Sequence, residues 1–312
     1  MAKLIADIGA TNARFAIVEG GKLDRIEVLA CEAYPGLADA ARHYLDIIGA
    51  APRTGIFAVA APLDGTDRVE MMNHSWAFSV RETAAALNLT SLRVVNDFTA
   101  LAHAVPYLAP EDYYQVGAGS VQKGAPIAII GPGTGLGVAG IVFDKDGKPV
   151  PVTTEGGHVT MPAGNLREFQ LFEWLKKTKY SHVSAERILS GKGLVNLYQA
   201  INGLDGRGLP ERTADEITDA TLARSCDACA ETLALFCRLL GVIAGNLALS
   251  YGSFGGVYIA GGIVPRLGDY FPASHFREAF LDKGRYRGYM DRISTFVITH
   301  PYPGMEGLKY AD

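Results

Sequence analysis

The chain has 312 residues, 48% of them hydrophobic, with a formal net charge of -4 at pH 7 and a pI near 6.0. That length and apolar content suffice for two domains with ordinary cores, and the acidic balance leaves no basic field for nucleic acid or an anionic membrane. No uninterrupted apolar stretch reaches about 18 residues, and Asp7 breaks the N-terminal run, so the sequence predicts neither a spanning segment nor a secretory signal but a soluble, cytoplasmic protein.

Leu4–Ile8 and Arg14–Val18 read as strands around a small-residue loop holding Thr11, and Gly20-Gly21 then turns the chain. Ile26–Ala30 follows as a strand, Gly36–Ile48 as a helix, and Gly55–Ala60 and Val69–Met72 as strands. A helix over Ser79–Leu87 opens with capping-box spacing from Ser79 to Glu82. Leu92–Val95 is predicted as a strand and Phe98–Val105 as a helix. Pro106 to Pro110 punctuates the pattern, and the domain break falls there: residues 1–107 with 298–312 form a small α/β domain and 108–297 a large one. Ile127–Ile130 and Val138–Phe143 then repeat the opening arrangement around Thr134, with Asp146-Gly147 as the turn. Helical patterns cover Leu166–Lys177, Ala185–Leu189, Leu194–Asn202, Ile217–Ser250 and Ala273–Phe280, and Thr213 with Glu216 has capping-box spacing. Val257–Ala260 and Thr295–Ile298 are the last strands, the second expected to return the chain to the first domain. Alternating strands and helices mean α/β, with an antiparallel hairpin opening each half.

The repeated hairpin carries the chemistry. Glycine-rich loops expose backbone N–H groups, with a hydroxyl from Thr11 or Thr134, and so suit a polyphosphate. Two of them predict a clamp on a nucleotide. Gly135-x-Gly137-x-x-Gly140 matches a dinucleotide fingerprint, but that motif must open a helix, whereas here it enters a β-branched run. No G-x-x-x-x-G-K-[ST] occurs either. Asp7, at a strand end beside the first loop, either holds Mg²⁺ near bound phosphates or bonds turn amides. Asn96-Asp97 lies between a strand and a helix, where Asp commonly caps; a base for transfer to a sugar hydroxyl needs the same position. Glu155-Gly156-Gly157-His158 lets a carboxylate and an imidazole converge, or is a plain turn. Glu186, at an expected helix start, either meets the helix dipole or offers a second carboxylate to vicinal hydroxyls. Gly255-Gly256-Val257-Tyr258-Ile259-Ala260-Gly261-Gly262 would let adenine or ribose lie against backbone, or is one more tight connection.

Of four cysteines, Cys226 and Cys229 form a C-x-x-C pair with no further ligands at zinc spacing. They share a helical stripe with Leu222, Leu233, Phe236 and Leu240, which predicts buried helix filler. Asn73-His74-Ser75 and Asn88-Leu89-Thr90 match a glycosylation pattern that is idle in a cytosolic chain.

Together these segments resemble the bacterial-type glucokinase family of the sugar kinase, heat-shock ATPase and actin superfamily. Asp7-Ile8-Gly9-Ala10-Thr11-Asn12-Ala13-Arg14 resembles its first phosphate motif, and Gly131-Pro132-Gly133-Thr134-Gly135-Leu136-Gly137-Val138 the second. Asn73-His74-Ser75-Trp76-Ala77-Phe78 resembles a family segment and Val95-Asn96-Asp97-Phe98 the catalytic one. Glu155–His158 and Val183–Gly191 resemble sugar-binding segments, and Gly255–Pro265 the adenosine motif. The resemblance implies a two-domain actin-like ATPase (ribonuclease H-like) fold with a cleft between the domains, ATP- and Mg²⁺-dependent phosphorylation of glucose at its 6-hydroxyl, and a homodimer. It implies Asp97 as base, with Asn96, Glu155, His158 and Glu186 on the sugar. It puts the nucleotide on Ile8, Gly9, Ala10, Thr11, Asn12, Ala13, Gly133, Thr134, Gly135, Gly261 and Gly262, and the metal at Asp7. Alternatives are a kinase for another hexose and a non-catalytic sugar sensor, the latter disfavoured because no helix-turn-helix segment precedes Met1-Ala2-Lys3. Two departures stand out: Ala10 replaces a common Gly, narrowing the loop's freedom, and the chain stops soon after Pro303-Gly304, where relatives usually continue into a longer helix.

Overall fold

The computed structural model describes residues 2–61, 63–71 and 75–311. The chain divides into two compact units, residues 1–108 with 300–312, and residues 109–299.

The first unit opens with a meander of β1 (Lys3–Ile8), β2 (Asn12–Glu19) and β3 (Lys22–Ala30), then α1 (Leu37–Ile48) and β4 (Thr54–Val59). The short pair β5 (Arg68–Glu70) and β6 (Ala77–Ser79) leads to α2 (Val80–Ala86), β7 (Ser91–Asn96) and α3 (Asp97–Ala104). The five-stranded sheet runs β3-β2-β1-β4-β7, with β4 and β7 parallel to β1. Both faces are covered, which explains why β1 and β4 read as near-continuous apolar runs. Leu4, Ala6 and Ile8 pack with Tyr44 of α1, while Ile5 packs on the opposite face with Val95 and Ala100. By the two-residue period of a strand, Asp7 shares the face of Ile5.

The second unit contains β8 (Tyr113–Val116), β9 (Ile127–Pro132), β10 (Leu136–Phe143), β11 (Pro149–Thr153), α4 (Leu166–Thr178), α5 (Gly191–Asp205), α6 (Ala214–Leu222) and α7 (Asp227–Tyr251). It continues through β12 (Val257–Ile259), α8 (Tyr270–Ala273), α9 (Phe276–Leu281), α10 (Arg287–Met290) and β13 (Thr295–Ile298). The sheet order is β11-β10-β9-β12-β13-β8. Thus β9-β10-β11 repeats the meander of β1-β2-β3, and Gly135-x-Gly137-x-x-Gly140 enters a strand, not a helix. The chain then re-enters the first unit as α11 (Pro303–Leu308), whose Met305 and Leu308 complete the core beside Ile5 and Ala100.

Several expectations are corrected. β13 pairs with β12 and β8 and belongs to the second unit, not the first. The helical pattern over residues 217–250 is two helices, because Arg224 takes a left-handed φ of 54° and ends the first. Residues 185–189 form turns: the amides of Ala185 and Glu186 are drawn to the carbonyls of Val159 and Gly157, at 2.8 Å each. Extended backbone at Ser274 splits the pattern over 273–280. α7 reaches a mean hydropathy of 1.8 and passes for a membrane span by length and composition, yet 61% of that window is buried within the protein, as in a core helix. The Ser79 hydroxyl accepts the Glu82 amide, and Thr213 and Glu216 cap each other reciprocally, as their spacing predicts.

Candidate functional site

In the first unit the register of the parallel strands aligns Ile8, Val59 and Asn96, so β1, β4 and β7 end along one edge. Carboxyl ends of parallel strands are the usual place for ligands in α/β sheets. Residues 9–11 close the hairpin there. The Gly9 amide donates to the Asn12 carbonyl at 3.0 Å, and Cys31 ties the loop from outside: its amide donates to the Thr11 carbonyl at 2.9 Å and its thiol to the Gly9 carbonyl at 3.6 Å. Thr11 is exposed, with its hydroxyl side chain at the tip. Ala10 has no left-handed φ, so a methyl in place of the common hydrogen strains nothing.

Asp7 stands opposite Arg14 in the hairpin, with Arg14 Nη1 3.3 Å from Asp7 Oδ2. Burial pushes the Asp7 carboxyl above its ordinary value, and the Arg14 charge and hydrogen bond oppose that rise. The sequence reading placed Arg14 in the first phosphate motif but missed its pairing with Asp7, although counting outward from the loop sets the two opposite each other. Gly304, at the start of α11, adjoins Asp7: a Cβ there would lie 3.8 Å from the carboxyl carbon.

Asn96 takes the capping position. Its Oδ1 accepts the amides of Phe98 and Thr99 at 2.9 and 3.2 Å, and its Nδ2 donates to the Ala61 carbonyl at 3.4 Å. Asp97 is therefore the first helical residue, not the cap, and sits half-buried at the positive end of α3. Asn73 and His74 lie outside the described residues.

In the second unit three segments are knitted around the second loop. The Gly133 amide donates to the Gly135 carbonyl, and the Gly191 amide to the Gly133 carbonyl, both at 2.8 Å. The Leu136 amide donates to Glu186 Oε2 at 3.0 Å. Gly157 is required by contact, since a Cβ there would lie 2.0 Å from the Leu136 carbonyl oxygen, and a Cβ on Gly135, 2.6 Å from Glu186 Oε2, would push that carboxylate aside. Glu186 is held in a turn ahead of α5, not on a helix. Glu155 and His158 flank a 3-10 turn at Gly156–His158, both exposed, with His158 Nε2 3.8 Å from Glu155 Oε2. Gly261, at φ +80°, presses on the end of β9, where a Cβ would meet the Pro132 carbonyl oxygen at 2.3 Å. The second loop and Gly261-Gly262 thus adjoin, with Thr134 exposed at the loop tip. Sequence reasoning missed the bond from Glu186 to Leu136, which crosses fifty positions and has no local signature.

The profile of the family described as Glucokinase matches residues 4–312. The chain belongs to the glucokinase family. It is 48% identical to the glucokinase of Paramagnetospirillum magneticum over 98% of this chain and 95% of that one. It is 47% identical to the glucokinase of Aromatoleum aromaticum, over 99% and 94%. The crystal structure of a glucokinase from an Antarctic psychrotroph superposes with a TM-score of 0.87 at 33% identity, covering 99% and 98%. The fold is the two-domain α/β actin-like kinase fold, and family membership makes the protein an ATP-dependent hexose kinase that phosphorylates glucose.

Proposed function

We propose that the glucose 6-hydroxyl is the acceptor and Asp97 the general base that takes its proton. The carrying observation is the strand register, which sets Asn96-Asp97 and the loop at residues 9–11 on one edge of one sheet. Asn96, Glu155, His158 and Glu186 hold the sugar hydroxyls, since carboxylates accept them strongly. Ile8–Ala13 and Gly133–Gly135 hold the phosphates through the hydroxyls of Thr11 and Thr134 and the loop amides other than those of Gly9 and Gly133, which bond within their loops, and Gly261-Gly262 seats the adenosine, with open space at Gly262.

The donor chemistry at Asp7 fits Mg²⁺. Burial disfavours its charge, Arg14 compensates only in part, and a nearby divalent cation would complete the balance. No cluster of three or more His, Cys, Asp or Glu able to hold a metal occurs among the described residues. That suits an ion held largely by phosphate oxygens and water, with Asp7 as its protein anchor. Bound Mg²⁺ supplies neutralisation of charge on the transferring phosphoryl group. The reading includes a cytoplasmic homodimer; the four free thiols support a reducing compartment, and light scattering checks the dimer.

A coupled ADP-release assay over a panel of hexoses tests the assignment, with glucose expected as the best acceptor. Asp97→Asn should lose roughly 10²–10⁴-fold in kcat while glucose binding stays close to wild type. Near-normal turnover of Asp97→Asn at saturating glucose would remove Asp97 from the base role.

A further inference from the structure

The break between α6 and α7 changes the meaning of the C-x-x-C pair. Cys226 occupies the N-cap of α7 and Cys229 the third helical position, so the pair straddles the first turn of a 25-residue helix. An N-cap side chain faces the amides of that turn. Cys229 and the other two thiols, Cys31 and Cys237, are buried, whereas Cys226 is half-buried. Cys226 lines a cavity of about 510 Å³ together with Arg224, Asp227, Asp269 and Tyr270, a volume on the scale of small-ligand pockets. The positive charge of Arg212 acts on both thiols. A partly exposed thiol at a helix N-terminus, with a second thiol one turn inward, is the arrangement of a reactive dithiol.

We propose that Cys226 and Cys229 form a dithiol–disulfide site that exchanges with small peptide disulfides of the glutathione type. The cavity wall offers Arg224 to a carboxylate and Asp227 and Asp269 to an ammonium, which matches a zwitterionic peptide. The Cys226 thiolate attacks one sulfur of the small disulfide; that S–S bond breaks, and the first small thiol leaves after taking up a proton. Cys229 then loses its proton to solvent and attacks the Cys226 sulfur, expelling the second small thiol. Two electrons and two protons pass from the protein pair to the small disulfide, which ends as two thiols.

The asymmetry between the thiols agrees with these roles. Burial works to raise Cys226, but the neighbouring Cys229 thiol, the first-turn amides and the charge of Arg212 leave it lowered. Burial, then the bond to Cys226, pushes Cys229 up to about 12.

The test treats the fully reduced protein with oxidised glutathione, alkylates the remaining thiols and maps the peptides by mass. The wild-type chain should lose the mass of two hydrogens and yield a Cys226–Cys229 link that dithiothreitol reverses. Cys229→Ser should retain one glutathione on Cys226, and Cys226→Ser should leave Cys229 unmodified. A wild-type chain that keeps both thiols, or adducts confined to Cys31 or Cys237, would overturn the proposal. Wild-type mapping decides even if a serine variant fails to fold, and the readout is independent of phosphoryl transfer.

Discussion

Glu186 is bound to two duties through one carboxylate. In the proposed reading it accepts sugar hydroxyls, yet in the structure it already accepts the Leu136 amide at the exit of the second phosphate loop. Removing it would leave a partly buried N–H without a partner, which costs about 1–3 kcal/mol, or roughly 5–150-fold in an equilibrium. Glu186→Ala is therefore expected to weaken a non-hydrolysable ATP analogue by calorimetry even with no sugar present. Glu186→Gln keeps an acceptor and should retain nucleotide affinity while losing sugar affinity. An alanine variant that binds the analogue like wild type would leave Glu186 as a sugar ligand alone. Residues at strand ends were legible in the sequence: Asp7, Thr11, Asn96 and Thr134 sit where the apolar runs stop. What the sequence could not convey was which group each side chain would bond. Local pattern did not decide between Asn96 and Asp97 for the cap, because either type caps well.

Helices of the second unit are fastened by charge where their ends meet. Arg167 of α4 grips Asp205 at the end of α5 with two bonds of 2.7 and 2.8 Å and reaches Glu231 of α7 at 2.9 Å, while Arg207 contacts the same two carboxylates. Hydrogen bonding from Arg167, against a smaller opposing effect of burial, holds Asp205 at about 2 instead of its ordinary 3.8. A depressed folded value means stabilisation that is complete above the unfolded value and lost as pH falls through the folded one. The melting temperature of wild type should thus exceed that of Asp205→Asn by a margin that is constant well above pH 3.8, shrinks as pH falls toward 2 and vanishes below it. A margin unchanged across that window would mean the carboxylate contributes nothing ionic. In the first unit the contact between α11 and α3 is steric. Gly307 of α11 lies so close to α3 that a Cβ would stand 1.8 Å from the Ala100 carbonyl oxygen. Overpacking of about 1–3 kcal/mol outweighs the roughly 1 kcal/mol that alanine gains over glycine in a helix. Gly307→Ala should lower the melting temperature, and, because α3 begins at Asp97, it should lower kcat more than it raises the glucose KM. Helix existence was largely legible from periodicity, but not its interruptions: Arg224 and Ser274 are ordinary helix residues by type, and nothing in the pattern marks the left-handed φ of one or the extended backbone of the other.

At the scale of the molecule, the duplicated meander was the most legible feature, because strand, small-residue loop and strand recur in one order around Thr11 and Thr134. The outer strands of the second sheet were not legible: β11 carries Pro149 and Pro151, which suit an edge but obscure a strand pattern, and β8 is only four residues long. Nor did pattern reveal where β13 pairs, since an apolar strand fits either sheet. The terminal segment shows what the chain's return accomplishes. Met305, Leu308 and Ala311 are fully buried against Ile5, Ile56, Val95 and Ala100, on the sheet face that also carries Asp7. Burying a Met or Leu side chain contributes about 1.5–3 kcal/mol, so losing Met305 and Leu308 together removes roughly 3–6 kcal/mol. A typical domain has only about 5–15 kcal/mol in all. Deleting residues 300–312 should therefore unfold the first unit selectively. Hydrogen exchange followed by mass spectrometry should show protection lost in β1, β4, β7 and α3 and kept in β9, β12 and β13, with turnover abolished. Protection retained throughout the first unit would mean that α11 only covers a sheet already stable without it.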